Sequence, residues 1–270
     1  MTPRGLGPQS RERIAALLRK RTGTVTPAEA AEILRVPAEK AARLLAAWAR
    51  GGWMSRVRRG LYVPVPLEAS SAEGPLDDPW IVATALFGPC YIGGWSGAEH
   101  WALTEQVFRS VCVMTATRPR NRAPVLKGTQ FTLHTVQESA LFGLKTVWRG
   151  RTRVQVSDPA RTVVDMLADP ALAGGIRPAA DVLKAFLRDH EKTLPALLDY
   201  GDHLDNGAIF KRLGFLLESE DLGHPDLVAA CRKRLRSGYV KLDPSIPVPR
   251  LVTAWGLWVP KRWTAERSRD

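Results

Sequence analysis

Cysteine is scarce in this sequence, and long apolar runs are missing from it. The three cysteines, Cys90, Cys112 and Cys231, are too few and too widely spaced for a disulfide framework or a zinc site. No apolar run reaches the roughly 18 residues of a membrane-spanning helix, and the sequence has no signal-peptide pattern. These absences predict a soluble protein of the reducing cytoplasm that is not exported.

Common catalytic motifs are also missing. The sequence has no Walker A loop, no GxGxxG turn, no HExxH pair and no Asp…Glu-x-Lys set of the kind that metal-dependent nucleases use. Residues 94–98, GWSGA, resemble a nucleophile elbow around Ser96, but Ala98 stands where that pattern needs glycine. Ser96 and Glu99 also fit a capping box. We therefore expect that the protein is not an enzyme and that it binds no metal or cofactor. A serine hydrolase is the less favoured alternative.

Positive charge is abundant and unevenly distributed. The formal net charge of the chain is +12 at pH 7. Residues 1–66 contain thirteen Lys and Arg against four Glu, a net charge of +9, whereas the remaining 204 residues carry only +3. A basic excess favours a polyanionic partner, and its position indicates that the N-terminal quarter of the chain makes the contact.

The basic quarter contains a helix with two different sides. Most residues from 38 to 49 are strong helix formers, and Pro37 suits the first helical turn. Gly51 and Gly52 are expected to end the helix. Apolar residues recur with helical spacing on one side: Ala41, Leu44, Leu45 and Trp48. Small and basic residues share another side: Lys40, Arg43, Ala47 and Arg50.

Short helices precede this helix, and a hairpin follows it. Ser10 can cap a helix to about Arg21, and Thr26 with Glu29 forms a capping box for a helix to about Leu34. After the third helix, short alternating strands flank a basic turn formed by Arg58, Arg59 and Gly60. Three helices and a basic hairpin are the layout of a winged helix-turn-helix, which reads the major groove of DNA. A small helical domain with a solvated basic face is the alternative.

The predicted contacts with double-stranded DNA fall into three groups. The third helix would lie in the major groove with these residues: Lys40, Arg43, Ala47 and Arg50. The wing would reach the backbone or the minor groove with these: Arg56, Arg58 and Arg59. Two residues near the start of the second helix could contact phosphate: Thr24 and Thr26.

The sequence predicts two domains: a DNA-binding domain at residues 1–66 and a larger α+β domain at residues 80–270. A linker rich in Pro, Ser and Gly, residues 67–79, joins them. Strands are expected at 111–117, 130–136, 145–148 and 152–156, with a helix at 95–106. Five further helices are expected from Asp158 to about residue 236, and strands 239–242 and 251–259 should close as a hairpin. Arg161 and Asp165 are four residues apart on a predicted helix and could form an ion pair. Residues 118–122, RPRNR, form a basic loop that is either a solvated surface loop or an accessory phosphate contact.

Five segments, in this order, resemble one known family. They are RGLYV at 59–63, YIGGWS at 91–96 with LTEQ at 103–106, SDPARTVVD at 157–165 with Gly174-Gly175, KRLGFLLE at 211–218 and VKLDP at 240–244. Together they resemble the AbiEi-type antitoxins of type IV toxin–antitoxin systems, over nearly the whole chain.

The resemblance implies a role in phage defence. It implies an N-terminal winged helix that represses its own operon by binding inverted repeats, and a C-terminal domain that counters a co-encoded nucleotidyltransferase-type toxin. It supplies no C-terminal functional residue, because the family has no fixed motif there. The alternative that the sequence leaves open is a one-component transcriptional regulator whose C-terminal domain binds a small ligand.

Overall fold

The structure is a computed structural model that describes residues 5, 7–20, 23–65, 76, 78–150, 152–247, 250–260 and 263. Most of the predicted linker, 67–79, lies outside the described residues. The described part mixes helices with three β-sheets, so the predicted α+β class is confirmed. No helix among these residues is both long and apolar enough to cross a membrane.

Three helices and a hairpin form the N-terminal part, as the sequence predicts: α1 (Pro8–Lys20), α2 (Pro27–Leu34), α3 (Ala38–Arg50), β1 (Met54–Arg58) and β2 (Leu61–Pro64). They share a hydrophobic core that includes Leu17, Val25, Ala30, Leu45, Trp48, Met54 and Tyr62. Pro37 is the N-cap of α3, with an extended backbone, and does not lie in the first turn as expected. Gly51 follows the last helical residue, as predicted.

The remaining elements begin with helix α4 and strand β3. In chain order they are α4 (Pro79–Phe87), β3 (Cys90–Ile92), α5 (Gly94–His100), β4 (Ser110–Thr115), β5 (Val125–Leu126), β6 (Thr129–Thr135), β7 (Leu144–Arg149), β8 (Thr152–Ser157), α6 (Pro159–Ala168), α7 (Ile176–Asp189), α8 (Leu194–His203), α9 (Gly207–Ser219), α10 (Pro225–Lys233), β9 (Val240–Lys241), β10 (Arg250–Val252) and β11 (Leu257–Val259). The predicted strands and the series of helices are therefore present, with shifted ends.

The predicted helix at 95–106 is wrong in its length. Helix α5 ends at His100, and Ala102 has a positive φ of 54°. The N–H of Leu103 donates to the carbonyl of Ala98, and the N–H of Ala102 donates to the carbonyl of Glu99. These two bonds form a Schellman motif, which normally has glycine at the left-handed position. Because alanine occupies that position here, the end of the helix carries no sequence signal.

The predicted closing hairpin between strands 239–242 and 251–259 is also wrong. A short 3-10 turn at Thr253–Trp255, followed by Gly256 with a φ of 61°, breaks the second strand into β10 and β11. The hairpin forms between these two strands, and β9 pairs with β11 in parallel.

The largest sheet has six strands in the order β5-β6-β4-β3-β8-β7. Strands β4 and β6 pair in parallel from Ser110 opposite Gln130 to Thr115 opposite Thr135. Strand β3 pairs with β8 in parallel through Ile92 and Val156. Parallel neighbours need long connections, and these pairings bring together segments that are distant in sequence.

The chain divides into two compact units that are both discontinuous in sequence. The first contains Met1–Tyr91, Arg109–Val136 and Thr146–Gln155, and the second contains Ile92–Phe108, Gln137–Lys145 and Val156–Asp270. In the second unit, every residue from 160 to 167 in α6 and from 209 to 217 in α9 is buried. The predicted domain boundaries at residues 66 and 80 flank the segment outside the described residues, and they stay a prediction.

Candidate nucleic-acid interface

Helix α3 presents one apolar and one basic side, as its sequence pattern predicts. Ala41, Leu45 and Trp48 are buried in the N-terminal core. The residues predicted to face DNA are all exposed: Lys40, Arg43, Ala47 and Arg50. A three- and four-residue spacing places these residues along one stripe of the helix. The stripe is therefore free to meet a partner outside the N-terminal core.

The hairpin carries the other basic residues outward. Arg58 pairs with Leu61 in the ladder, so the turn consists of Arg59 and Gly60, and Gly60 has a positive φ of 79° that suits glycine. Tyr62 is buried and exchanges two backbone hydrogen bonds with Val25, at 2.8 and 3.0 Å. These bonds tie the hairpin to the segment before α2. The side chains at the tip and on the outer strand are exposed: Arg56, Arg58 and Arg59.

The cations of α3 and the hairpin have no internal counter-charge. Within the described residues, none of the six side chains forms an ion pair or a hydrogen bond: Lys40, Arg43, Arg50, Arg56, Arg58 and Arg59. Arginines of the second unit behave differently, because several pair with acids, including Arg188, Arg232, Arg234 and Arg236. We call the six unpaired side chains the basic face.

Thr26 has a structural role that engages its polar groups. Its hydroxyl accepts a hydrogen bond from the N–H of Glu29 at 3.3 Å and donates to a carboxylate oxygen of Glu29 at 3.0 Å. Its own N–H donates to the same oxygen at 2.9 Å. The predicted capping box is thus confirmed, and a phosphate would compete with Glu29 for these donors. Thr24 is half-buried, and its predicted phosphate contact stays a prediction.

The segment that resembles a nucleophile elbow lies at the start of α5. Ser96 is buried there, and His100 is half-buried with its ring 4.5 Å from that of Trp101. In the described part of the chain, no group of three or more His, Cys, Asp and Glu side chains could hold a metal ion. Neither observation tests a serine hydrolase, which needs no metal, so that alternative stays a prediction from the sequence pattern.

The motif at 157–165 is built into the packing of the second unit. The predicted pair is confirmed, since Arg161 Nε donates to Asp165 Oδ1 at 2.8 Å, and Arg161 also donates to the carbonyl of Phe142 at 2.9 Å. Asp158 caps α6 and accepts a hydrogen bond from the hydroxyl of Tyr200 at 2.7 Å. Burial is the largest cause that raises the pKa of Tyr200 to about 12, and this hydrogen bond adds to it.

The motifs at 211–218 and 240–244 are joined by Arg212. Its guanidinium donates to the carbonyls of Leu167 and Ala168, at the end of α6, and to those of Lys241 and Leu242. Burial lowers the pKa of this group. Arg212, one of the residues that carry the family resemblance, therefore has a structural role.

Comparisons with known proteins give a fold and no family. No family model matches the chain, and no curated protein gives a significant match. Among solved structures, the chain is similar to the RV2827C protein from Mycobacterium tuberculosis. The two are 16% identical with a TM-score of 0.62, and the match covers 96% of this chain and 94% of the other. At this identity the similarity concerns the fold alone, so the function has to be argued from the residues of the chain itself.

Proposed function

We propose that this protein binds double-stranded DNA through the basic face, with α1–α3 and the β1–β2 hairpin acting as a winged helix-turn-helix. The observation that carries the proposal is the set of six exposed cations with no partner among the described residues. Duplex DNA carries about one negative charge per 1.7 Å of its axis. It would supply the counter-charge that the basic face lacks.

Helix α3 and the wing would then have different tasks. The major groove of B-DNA is about 12 Å wide and admits an α-helix. Arg43 lies in the middle of the exposed stripe, where a bidentate contact with guanine is feasible, and Ala47 allows close approach to the bases. Arg58 and Arg59, at the hairpin tip, are suited to phosphate contacts, which set affinity and register but not sequence choice.

The family resemblance gives this DNA binding a biological role. We propose that the protein is a bacterial, cytoplasmic autorepressor that binds inverted repeats at its own promoter, and an antitoxin that counters a co-encoded nucleotidyltransferase-type toxin. The antitoxin part rests on the resemblance alone. The DNA-binding part rests on the basic face and is supported independently of it.

The decisive experiment compares DNA binding by the full-length protein and a matched pair of variants. Fluorescence anisotropy would measure binding to a duplex from upstream of the gene and to a scrambled duplex. We expect tighter binding to the upstream duplex, and its loss in the triple variant Arg43→Ala, Arg58→Ala, Arg59→Ala. The control is Arg188→Ala, Arg232→Ala, Lys233→Ala, which removes the same charge from exposed positions of the second unit.

Two results would overturn the proposal. One is a wild-type protein that binds neither duplex at low salt, where phosphate contacts are strongest. The other is a control variant that loses as much affinity as the triple variant, because net charge and not the basic face would then account for binding.

A further inference from the structure

A concave site in the second unit lies beside the buried lysine of α9. The cavity has a volume of about 290 Å³ and lies between α9, the segment that follows α10, and the turn before β11. Its polar lining includes the following residues: Lys211, Arg236, Ser237, Gly238, Tyr239 and Thr253. No Asp or Glu is found among the described residues that line it. The site is thus concave and positively charged.

Lys211 is the most unusual member of this lining. The residue is only 3% exposed, and its ammonium donates to the carbonyl of Gly238. Among the described residues no carboxylate lies within ion-pair distance of it. An ammonium has three donors, so two are left over. Burial also lowers the pKa of the group, because a cation removed from water is disfavoured.

The rim of the cavity adds further donors. Arg236 lies there and pairs with Asp205 outside the lining. The backbone N–H groups of Ser237, Gly238 and Tyr239 donate no hydrogen bond to any described residue. Gly256 lies close to the ammonium, because a Cβ at this position would be 3.1 Å from the carbonyl oxygen of Gly238 and 3.2 Å from Lys211 Nζ. The lining therefore combines two cationic side chains, Lys211 and Arg236, with no carboxylate among its described residues.

We propose that this cavity, the Lys211 cavity, binds a small anion that carries a phosphate or carboxylate group. The negative group would lie against the Lys211 ammonium, with the free N–H groups of 237–239 as further donors. The volume is just below the range of about 300–1,000 Å³ that drug-sized ligands occupy, which favours a small ion over a large cofactor. The proposal does not rest on DNA binding by the first unit.

The experiment is calorimetric titration of the full-length protein with inorganic phosphate, and separately with citrate, against sodium chloride of equal ionic strength. The two arms distinguish phosphate from carboxylate ligands. We expect one of the anions to bind at a single site. Lys211→Met keeps the length of the side chain and removes the charge, and should weaken binding at least about tenfold. Lys211→Arg keeps the charge and should retain part of the affinity.

If Lys211→Met misfolds, a second variant can still test the proposal. Arg236→Gln changes an exposed side chain at the rim, and we expect it to weaken binding by a smaller factor, about threefold. In the wild type, the bound anion should slow hydrogen exchange at residues 235–239. The proposal is wrong if neither anion binds the wild type more tightly than chloride does. It is equally wrong if Lys211→Met folds and binds like the wild type or, where that variant does not fold, if Arg236→Gln binds like the wild type. Either result would indicate an adventitious ion only.

Discussion

Arg212 joins two segments that are distant in the sequence of the second unit. Its side chain is buried and donates to four carbonyls, at distances from 2.7 to 3.1 Å. Two of these carbonyls, of Leu167 and Ala168, end helix α6 and would otherwise be unsatisfied. A buried carbonyl without a partner costs more than the hydrogen bond itself contributes.

The first prediction is that Arg212→Met lowers the free energy of unfolding. Because a hydrogen bond to a charged group contributes about 1.5–3 kcal/mol, we expect a loss of roughly 3 kcal/mol or more. The control is Arg232→Met. In the wild type, the ion pair between Arg232 and Glu218 is exposed, so its loss should cost less than about 1 kcal/mol. Guanidinium unfolding followed by tryptophan fluorescence would measure both. Similar losses in the two variants would contradict a special role for Arg212.

The second prediction concerns Gly214, which faces the ring of Trp255. A Cβ on Gly214 would lie 2.0 Å from Cη2 of that ring. Trp255 is buried, and its indole N–H donates to Glu218 at 2.7 Å, so the ring cannot easily move. Gly214→Ala should therefore destabilise the protein by at least about 1–3 kcal/mol, the usual cost of overpacking.

Gly207, at the start of the same helix, is the control for this prediction. The nearest atoms to its Cβ position belong to the flexible side chain of Arg236, at 3.3 Å. Gly207→Ala should change the free energy of unfolding by less than about 0.5 kcal/mol. The Gly214 interpretation fails if both substitutions are tolerated in the same unfolding assay.

At the scale of elements, α3 and the wing should differ in what they contribute to DNA recognition. The third prediction is that Arg43→Ala lowers the ratio of specific to non-specific affinity, since a bidentate contact with guanine is worth about 1–3 kcal/mol of discrimination. Arg58→Ala with Arg59→Ala should instead weaken binding to all duplexes alike. Each lost phosphate contact should flatten the log–log salt dependence by roughly one unit.

Anisotropy titrations at several salt concentrations, on operator and random duplexes, would measure both effects. If Arg43→Ala lowers the affinity for both duplexes equally, Arg43 contacts a phosphate and does not read a base. An unchanged salt slope in the double variant would contradict the assignment of the hairpin as a wing.

Elements with strong local signals could be predicted from the sequence, and elements fixed by tertiary contacts could not. The capping box at Thr26 and the apolar stripe of α3 are local, and the structure has both. The end of α5 at His100 depends on alanine in a left-handed conformation, which its own propensity disfavours. The Lys211 cavity was not predictable either, because a lysine within a helical pattern reads as a solvated residue.

At the scale of the whole molecule, the positive charge has two sources. Residues 67–270 carry a net charge of +3, which equals the contribution of the basic loop: Arg118, Arg120 and Arg122. All three are exposed and have no ion pair among the described residues. The loop belongs to the same compact unit as α3 and the hairpin, and its end is held by a hydrogen bond from Leu133 to Arg122 at 2.8 Å.

The fourth prediction is that this loop contacts DNA phosphates. Replacing its three arginines with glutamine should flatten the log–log salt slope by about one to three units and leave the operator-to-random ratio unchanged. The control replaces Arg188, Arg232 and Lys233 in the same way. If the slope of the loop variant equals that of the wild type, the loop is a solvated surface and the basic face alone binds DNA.

The last prediction separates DNA binding from antitoxicity in the full-length protein. The triple variant Arg43→Ala, Arg58→Ala, Arg59→Ala changes only exposed residues, so it should fold and lose operator binding. When the co-encoded toxin is expressed from an unrelated promoter, repression of the native promoter cannot account for survival of the cells. We expect the triple variant to protect cells as well as the wild type does, because the resemblance assigns toxin neutralisation to the C-terminal domain. Protection by the wild type alone would mean that the basic face takes part in neutralisation. If neither protein protects, the antitoxin assignment is wrong, and the protein is a DNA-binding regulator without that second activity.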